Sequence, residues 1–219
     1  MREPRDFSKQ REDLVDALRR EDYIRTSHVE RAFRAVRREK FVTEDNRNYS
    51  YSDHPLPILC GQTISAPSMI AIMLEEADLR PGMKVLEIGT GSGYNAALLA
   101  EIVGQENLVT IERFPDLVDW GGGNLRQNGY EKVKIVLGDG TLGYEPGAPY
   151  DCIMATAGAP RIPRAWILQT KVGGRIVAPI GGSSFNQTLA IATRLKTEDV
   201  DVRWGTACAF VPLVGAEGW

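Results

Sequence analysis

The sequence predicts an α/β protein: a doubly wound, mostly parallel sheet of about seven strands, with an N-terminal helical cap and an antiparallel C-terminal edge. Three observations predict it. Short apolar runs alternate with helical patterns from Lys84 to Pro179, as in parallel strands joined by right-handed crossovers. A glycine-dense turn, Gly89-Thr-Gly-Ser-Gly93, links the first of these strands to its helix. Beyond Gly182 two strand-like runs follow one another with no helical pattern between them, which calls for antiparallel pairing.

Residues 9–39 carry two charged amphipathic helices. In the second, Val29, Phe33 and Val36 share one face, and Ser27-His-Val-Glu30 fits a capping box. Residues 43–62 are rich in Asn, Ser, Pro and Gly and read as a loop, packed down by Leu56, Ile58 and Leu59. Pro67 in a first turn and the stripe Met69, Ile70, Met73, Leu74 mark a helix over 65–77. Strands follow at 85–88, 108–111, 133–137, 150–155 and 175–179, with helices at 95–103 and 116–128. The last strands are 187–194 and 201–210. Trp120-Gly-Gly-Gly-Asn124 falls inside the second of these helices. Each Gly costs about 1 kcal/mol of helix propensity against Ala, so the run predicts a fraying or interruption there. With no repeat or long linker, residues 1–219 read as one domain: a helical substrate side (1–80), a core (81–182) and C-terminal strands (183–219).

Hydrophobic residues make up 43% and charged residues 25% of the chain, the balance of a soluble globular domain. A formal net charge of -3 lacks the electrostatic footprint of a nucleic-acid binder. Cys60, Cys152 and Cys208 are odd in number and far apart, so neither a disulfide framework nor a metal knuckle is expected. With only His28 and His54 besides, we expect no metal and a reducing, cytoplasmic setting. His28 reads as a partly exposed helix-terminal residue, and Cys60 as a small buried one. The charged N-terminus has no apolar segment behind it, and no apolar run approaches the roughly 20 residues of a membrane span. We expect a soluble monomer.

The glycine turn alone suits NAD, FAD or S-adenosylmethionine. Tyr94 stands where the dinucleotide fingerprint wants a small residue. Glu87, at the strand end before the turn, suits a cationic ammonium and sulfonium ligand and would repel a pyrophosphate. Glu112 ends the second strand, where a carboxylate can accept both ribose hydroxyls. Asp139-Gly140 follows the third strand, placing a carboxylate for the adenine N6 and an N–H for the ring. Together these favour S-adenosylmethionine, leaving S-adenosylhomocysteine as product, with Glu87, Gly89, Thr90, Gly91, Ser92, Gly93, Glu112, Asp139 and Gly140 as its contacts.

Pro55-Leu-Pro-Ile58 and Gly61-Gln-Thr-Ile-Ser-Ala-Pro67 resemble the pre-motif of protein L-isoaspartate (D-aspartate) O-methyltransferases. The resemblance extends through Val85–Leu99, Leu137-Gly-Asp-Gly140, Tyr150-Asp151, Thr156-Ala-Gly-Ala-Pro160, Gly173-Gly-Arg-Ile-Val177 and Phe210-Val-Pro-Leu213. It implies a Rossmann-like methyltransferase acting on the free α-carboxylate of isoaspartyl residues in damaged proteins and peptides. The ester then closes to a succinimide, which opens partly to normal aspartate. It also implies that Ser65 is the active-site serine, with Thr63, Ile64 and Ser68 on the cofactor side. Thr156, Ala157, Gly158 and Ala159 would shape the acceptor pocket, and Val211, Pro212 and Leu213 would offer an extended edge to a substrate peptide.

A carboxylate of pKa about 4 is ionised at neutral pH, so no general base is needed. No base accompanies Ser65, which therefore reads as an orienting donor rather than a nucleophile. Its place before Pro67 also suits an N-cap, and the N–H groups of that helix start suit an acceptor carboxylate. Position 68 carries Ser where many relatives carry His. Three other readings compete: a methyltransferase of the same architecture acting on a peptide aspartyl side chain or an RNA base, a non-catalytic S-adenosylmethionine binder, and a nicotinamide oxidoreductase.

Overall fold

A computed structural model describes residues 6–183, 186–196 and 198–219. Two N-terminal helices, α1 (Phe7–Arg20) and α2 (Ser27–Ala35), lead to a short antiparallel pair, β1 (Leu56–Pro57) and β2 (Thr63–Ile64). Helix α3 (Pro67–Ala77) precedes the main sheet. Its strands are β3 (Val85–Ile88), β4 (Leu108–Glu112), β5 (Lys134–Leu137), β6 (Tyr150–Ala155), β7 (Thr170–Ser183), β8 (Asn186–Arg194) and β9 (Val200–Cys208). Between them run α4 (Tyr94–Val103), α5 (Pro115–Gln127) and α6 (Arg164–Gln169). The seven strands lie in the order β5-β4-β3-β6-β7-β8-β9. The first five are parallel, and β8 and β9 are antiparallel, as the sequence predicts.

The chain leaves β3 in one direction for β4 and β5, then returns to place β6 on the other side of β3. Carboxyl ends of strands at such a reversal open a crevice, the usual ligand site of an open α/β sheet. Strand residues alternate between two cores: Val85 and Cys152 face one, Leu86, Ile88 and Ile153 the other. Burial on both faces explains why these strands read as continuous apolar runs.

Several local expectations are corrected. Ser27 is not the cap of α2; that position is Thr26, and no side chain of the helix's own start caps it. The Glu75 carboxylate of α3 anchors the approach to the helix, accepting the N–H groups of Arg25 and Thr26 at 2.9 Å each. Glu30 pairs with Arg19 and Arg34 instead. The 43–62 segment holds a 3-10 turn (Glu44–Tyr49) and β1, which pairs with β2. Cys60 is exposed and sits in the left-handed region at φ 57°, not buried. Strand β9 ends at Cys208, short of Phe210. The Gln187 side chain stands in for a ladder partner there: it accepts the Phe210 N–H at 2.8 Å and donates to the Phe210 carbonyl at 3.2 Å.

The Gly121–Gly123 run neither frays nor interrupts α5, which is continuous through it. A Cβ on Gly121 would lie 2.5 Å from the Gly91 carbonyl oxygen, and one on Gly93 would lie 2.9 Å from that of Gly121. The bare backbone of α5 therefore rests directly on the glycine turn. Close approach, which only glycine permits, outweighs helix propensity. Among the described residues, no helix is long and apolar enough to cross a membrane.

Candidate active site

The crevice holds two adjoining cavities. The larger, open to solvent, spans about 570 Å³ and lies over the ends of β3 and β4. The smaller, of about 330 Å³, lies under β2 and the start of α3. They share Thr63, Gly89, Gly91 and Thr156, so a ligand in one abuts a ligand in the other.

The glycine turn is built for close approach. Gly89, Gly91 and Gly93 have φ of 96°, 53° and 85°, values that favour glycine. A Cβ on Gly89 would lie 2.7 Å from the Thr156 Oγ1. That hydroxyl donates to the Gly89 carbonyl at 2.8 Å, tying the end of β6 to the turn. Glu112 is buried at the end of β4. Its Oε2 accepts the Gly91 N–H at 3.0 Å, and its Oε1 accepts the N–H groups of Arg113 (2.7 Å) and Phe114 (3.0 Å). A carboxylate offers about four acceptor sites, so one remains for a ligand hydroxyl. Ile88, Ile111, Phe114, Leu117 and Leu213 add an apolar wall to the larger cavity, suited to a flat heteroaromatic ring. An acidic anchor, an apolar wall and a bare glycine cradle fit an adenosyl group on a cationic ligand.

Other predicted residues fall elsewhere. Glu87 lines neither cavity. It is fully buried beneath the turn, bonded to Asn95 Nδ2 (2.8 Å) and Thr110 Oγ1 (2.5 Å). Burial pushes its carboxyl up to about 8, against the pull of the Thr110 and Asn95 hydrogen bonds. Glu87 thus supports the turn from below instead of meeting a ligand's cation. Gly93 serves the packing of α4 on α5. Asp139 is also occupied: Oδ1 accepts from the Thr141 N–H and hydroxyl, and Oδ2 accepts the Ala216 N–H at 2.8 Å. Partial burial opposes ionisation, but these bonds and Arg113 hold its carboxyl below the ordinary range. Only Gly140 of that pair lines the cleft. Ser68 donates its N–H to Asp53 Oδ1 at 2.9 Å and lies outside both cavities. Asp53 thereby occupies the helix start that was expected to receive an acceptor carboxylate, and Ala66, not Ser65, is the N-cap residue of α3.

Ser65 is half-buried and lines the smaller cavity with Ile64, Thr90 and Ser92. Its carbonyl is held by Arg38 Nη2 at 2.8 Å. Ala157, Val211, Pro212 and Leu213 line the larger cavity, whereas Gly158 and Ala159 lie behind it. The Gly158 N–H donates to the Val211 carbonyl (2.9 Å), and the Leu213 N–H donates to the Gly158 carbonyl (2.7 Å). Two of the backbone groups expected to greet a peptide are therefore already paired.

Apart from Leu213, expected on the acceptor side, the apolar wall is not foreseen from the sequence. Its only local signal is Phe114, which follows the strand-end acid and precedes a helix-starting proline. Tyr94 and Asn95 also line the smaller cavity.

A mostly parallel sheet with a glycine cradle at its reversal and an acid closing the next strand places the chain among the Rossmann-like S-adenosylmethionine-dependent methyltransferases. Comparison with known proteins narrows the class. The family model described as "Protein-L-isoaspartate(D-aspartate) O-methyltransferase (PCMT)" matches residues 9–218. A protein-L-isoaspartate O-methyltransferase of Methanopyrus kandleri is 48% identical over 217 residues, covering 97% of this chain and 95% of that one. One from Pyrococcus horikoshii is 47% identical over 205 residues, covering 94% and 93%. A solved protein-L-isoaspartate O-methyltransferase superposes with a TM-score of 0.87 at 32% identity, covering 95% of this chain and 67% of that one. A Plasmodium falciparum structure, described as such an enzyme in complex with S-adenosyl-L-homocysteine, gives 0.81 at 27% identity, covering 92% and 97%. The chain belongs to the protein-L-isoaspartate (D-aspartate) O-methyltransferase family.

Proposed function

We propose that this protein transfers a methyl group from S-adenosylmethionine to the free α-carboxylate of L-isoaspartyl residues in damaged proteins and peptides, initiating their repair through a succinimide. The observation that carries this reading is the pair of cavities meeting at Thr63, Gly89, Gly91 and Thr156. A nucleoside fits the larger one, and an acceptor presented to the smaller one meets Ser65.

When bound, the cofactor supplies an electrophilic methyl group on a sulfonium. The chain's residues position the partners. Glu112 takes a ribose hydroxyl, and Ile88, Ile111, Phe114 and Leu117 flank the adenine. The glycine turn lets the ligand lie on bare backbone. Ser65 donates its hydroxyl to the acceptor carboxylate and fixes its line of approach, with Thr63 beside it. The acceptor is already ionised at neutral pH, so no residue needs to remove a proton. Orientation and exclusion of water supply the rate. Residues 1–219 act as one unit in this reading, because α2 and α3 share a core with α4 beneath the glycine turn.

The test is methyl transfer from labelled S-adenosylmethionine to three matched peptides bearing isoaspartate, aspartate or D-aspartate. Base-labile label on the isoaspartyl peptide and none on the aspartyl peptide is expected. Equal label on both, or on neither, overturns the reading. Ser65→Ala is expected to lower kcat by about 10- to 100-fold while calorimetric S-adenosylmethionine affinity stays within about threefold. Unchanged turnover would remove Ser65 from the mechanism.

A further inference from the structure

Arg38 is a charged side chain with no solvent exposure; among the described residues no carboxylate lies within ion-pair distance of it, and Asp53 acts on it only from farther off. A buried charge without a counter-ion is costly. Its position shows what its geometry does. Nε donates to the Ser50 carbonyl and Nη2 to the Ser65 carbonyl, each at 2.8 Å. The guanidinium carbon lies 4.7 Å from the centroid of the Tyr94 ring, a cation–π distance. Ser50 and Ser65 bracket the segment that carries β1, β2 and Thr63, the roof over both cavities. Tyr94 is the first residue of the helix that springs from the glycine turn.

We infer that Arg38 is a positioning residue for methyl transfer: its rigid fork clamps both ends of the roof to the glycine-turn helix and thereby sets the Ser65 hydroxyl relative to the cofactor. The inference rests on the role proposed for Ser65. Lysine has a point charge and no planar fork, so it cannot keep the two carbonyls and the Tyr94 ring at the spacing that the guanidinium sets. A misplacement near 1 Å at a reacting centre costs up to about 100-fold in rate.

The experiment compares Arg38→Lys, Arg38→Met, Ser65→Ala and the Arg38→Lys/Ser65→Ala double variant in methylation of an isoaspartyl peptide. Cofactor affinity by calorimetry and thermal midpoint are measured alongside. Arg38→Lys is expected to lower kcat about 10- to 100-fold, with cofactor affinity within about threefold. In the Ser65→Ala background the same substitution should change kcat by less than about threefold, because the hydroxyl that it displaces is gone. Arg38→Met, which removes the buried charge, should be equally slow whatever its thermal midpoint; if it does not fold, the lysine variant decides. Overturning results are a kcat within twofold of wild type for Arg38→Lys, or an equal fractional loss in both backgrounds, as a merely structural role would give. If Ser65→Ala alone keeps full turnover, the role of Ser65 fails and the role of Arg38 fails with it.

Discussion

Glu87 shows how one residue's burial can redirect its function. The carboxylate sits at the end of β3, a position that suits a cationic ligand, yet its hydrogen bonds run to Thr110 and Asn95 beneath the turn. Its carboxyl is raised from an ordinary 4.5 to about 8, chiefly by burial. Between those values the native protein holds a proton that the unfolded chain has released. Stability contributed by this group is therefore full at the acid end and lost as pH rises through about 8. Urea unfolding of wild type and Glu87→Gln across that window should show a steeper alkaline decline in the wild type. Parallel curves would mean that Glu87 does not titrate there.

At the scale of elements, α5 and the glycine turn form one unit. Gly121 has no room for a methyl group, because the Gly91 carbonyl lies 2.5 Å from where its Cβ would stand. Gly123, two residues on, faces open space. Gly121→Ala should weaken S-adenosylmethionine binding about tenfold or more by displacing the turn, with a lower thermal midpoint. Gly123→Ala should leave binding intact and stabilise α5 by about 0.5–1 kcal/mol. Calorimetry and thermal unfolding separate the two; equal effects would refute the contact. The sequence could not reveal this distinction, since three adjacent glycines look alike until the turn is laid on them. The same limit applies to Ser27: the cap position falls one residue earlier, at a Thr26 that a carboxylate on α3, far along the chain, holds in place. Strand β7 runs from Thr170 to Ser183, beyond the predicted 175–179, because neighbouring strands carry it through Gly173 and Gly174, which have no side chains to mark a strand. By contrast β3 and β6 were legible to the residue, because strands buried on both faces announce themselves as unbroken apolar runs. The cofactor cleft was legible where a residue type is demanded by backbone approach, as at Gly89 and Gly91. It was not legible where several strands together make a wall, as with Ile88, Ile111 and Leu117.

The whole molecule is closed by its C-terminal segment. Val214 lines the larger cavity, the Ala216 N–H reaches Asp139, the Glu217 N–H reaches Thr141 Oγ1 at 3.2 Å, and Trp219 Nε1 donates to the Gly158 carbonyl at 3.2 Å. Residues 214–219 thus link the ends of β5 and β6 across the cleft. Removing them should raise the S-adenosylmethionine dissociation constant about tenfold, since part of the wall is lost. A tighter complex would instead mean that the segment competes with adenine for Asp139.

The clasp on Asp139 also bears on the protein's lifetime. Asp139-Gly140 is itself an aspartyl-glycyl pair, the kind that ages when the glycine nitrogen attacks the side-chain carbon. That attack requires the side chain to swing toward the following peptide nitrogen. Here Thr141 and Ala216 hold both carboxylate oxygens in hydrogen bonds, so that swing would break them. The segment after Leu213 therefore restrains, beside the cleft, an aspartyl-glycyl pair of the very kind that this family's substrates derive from.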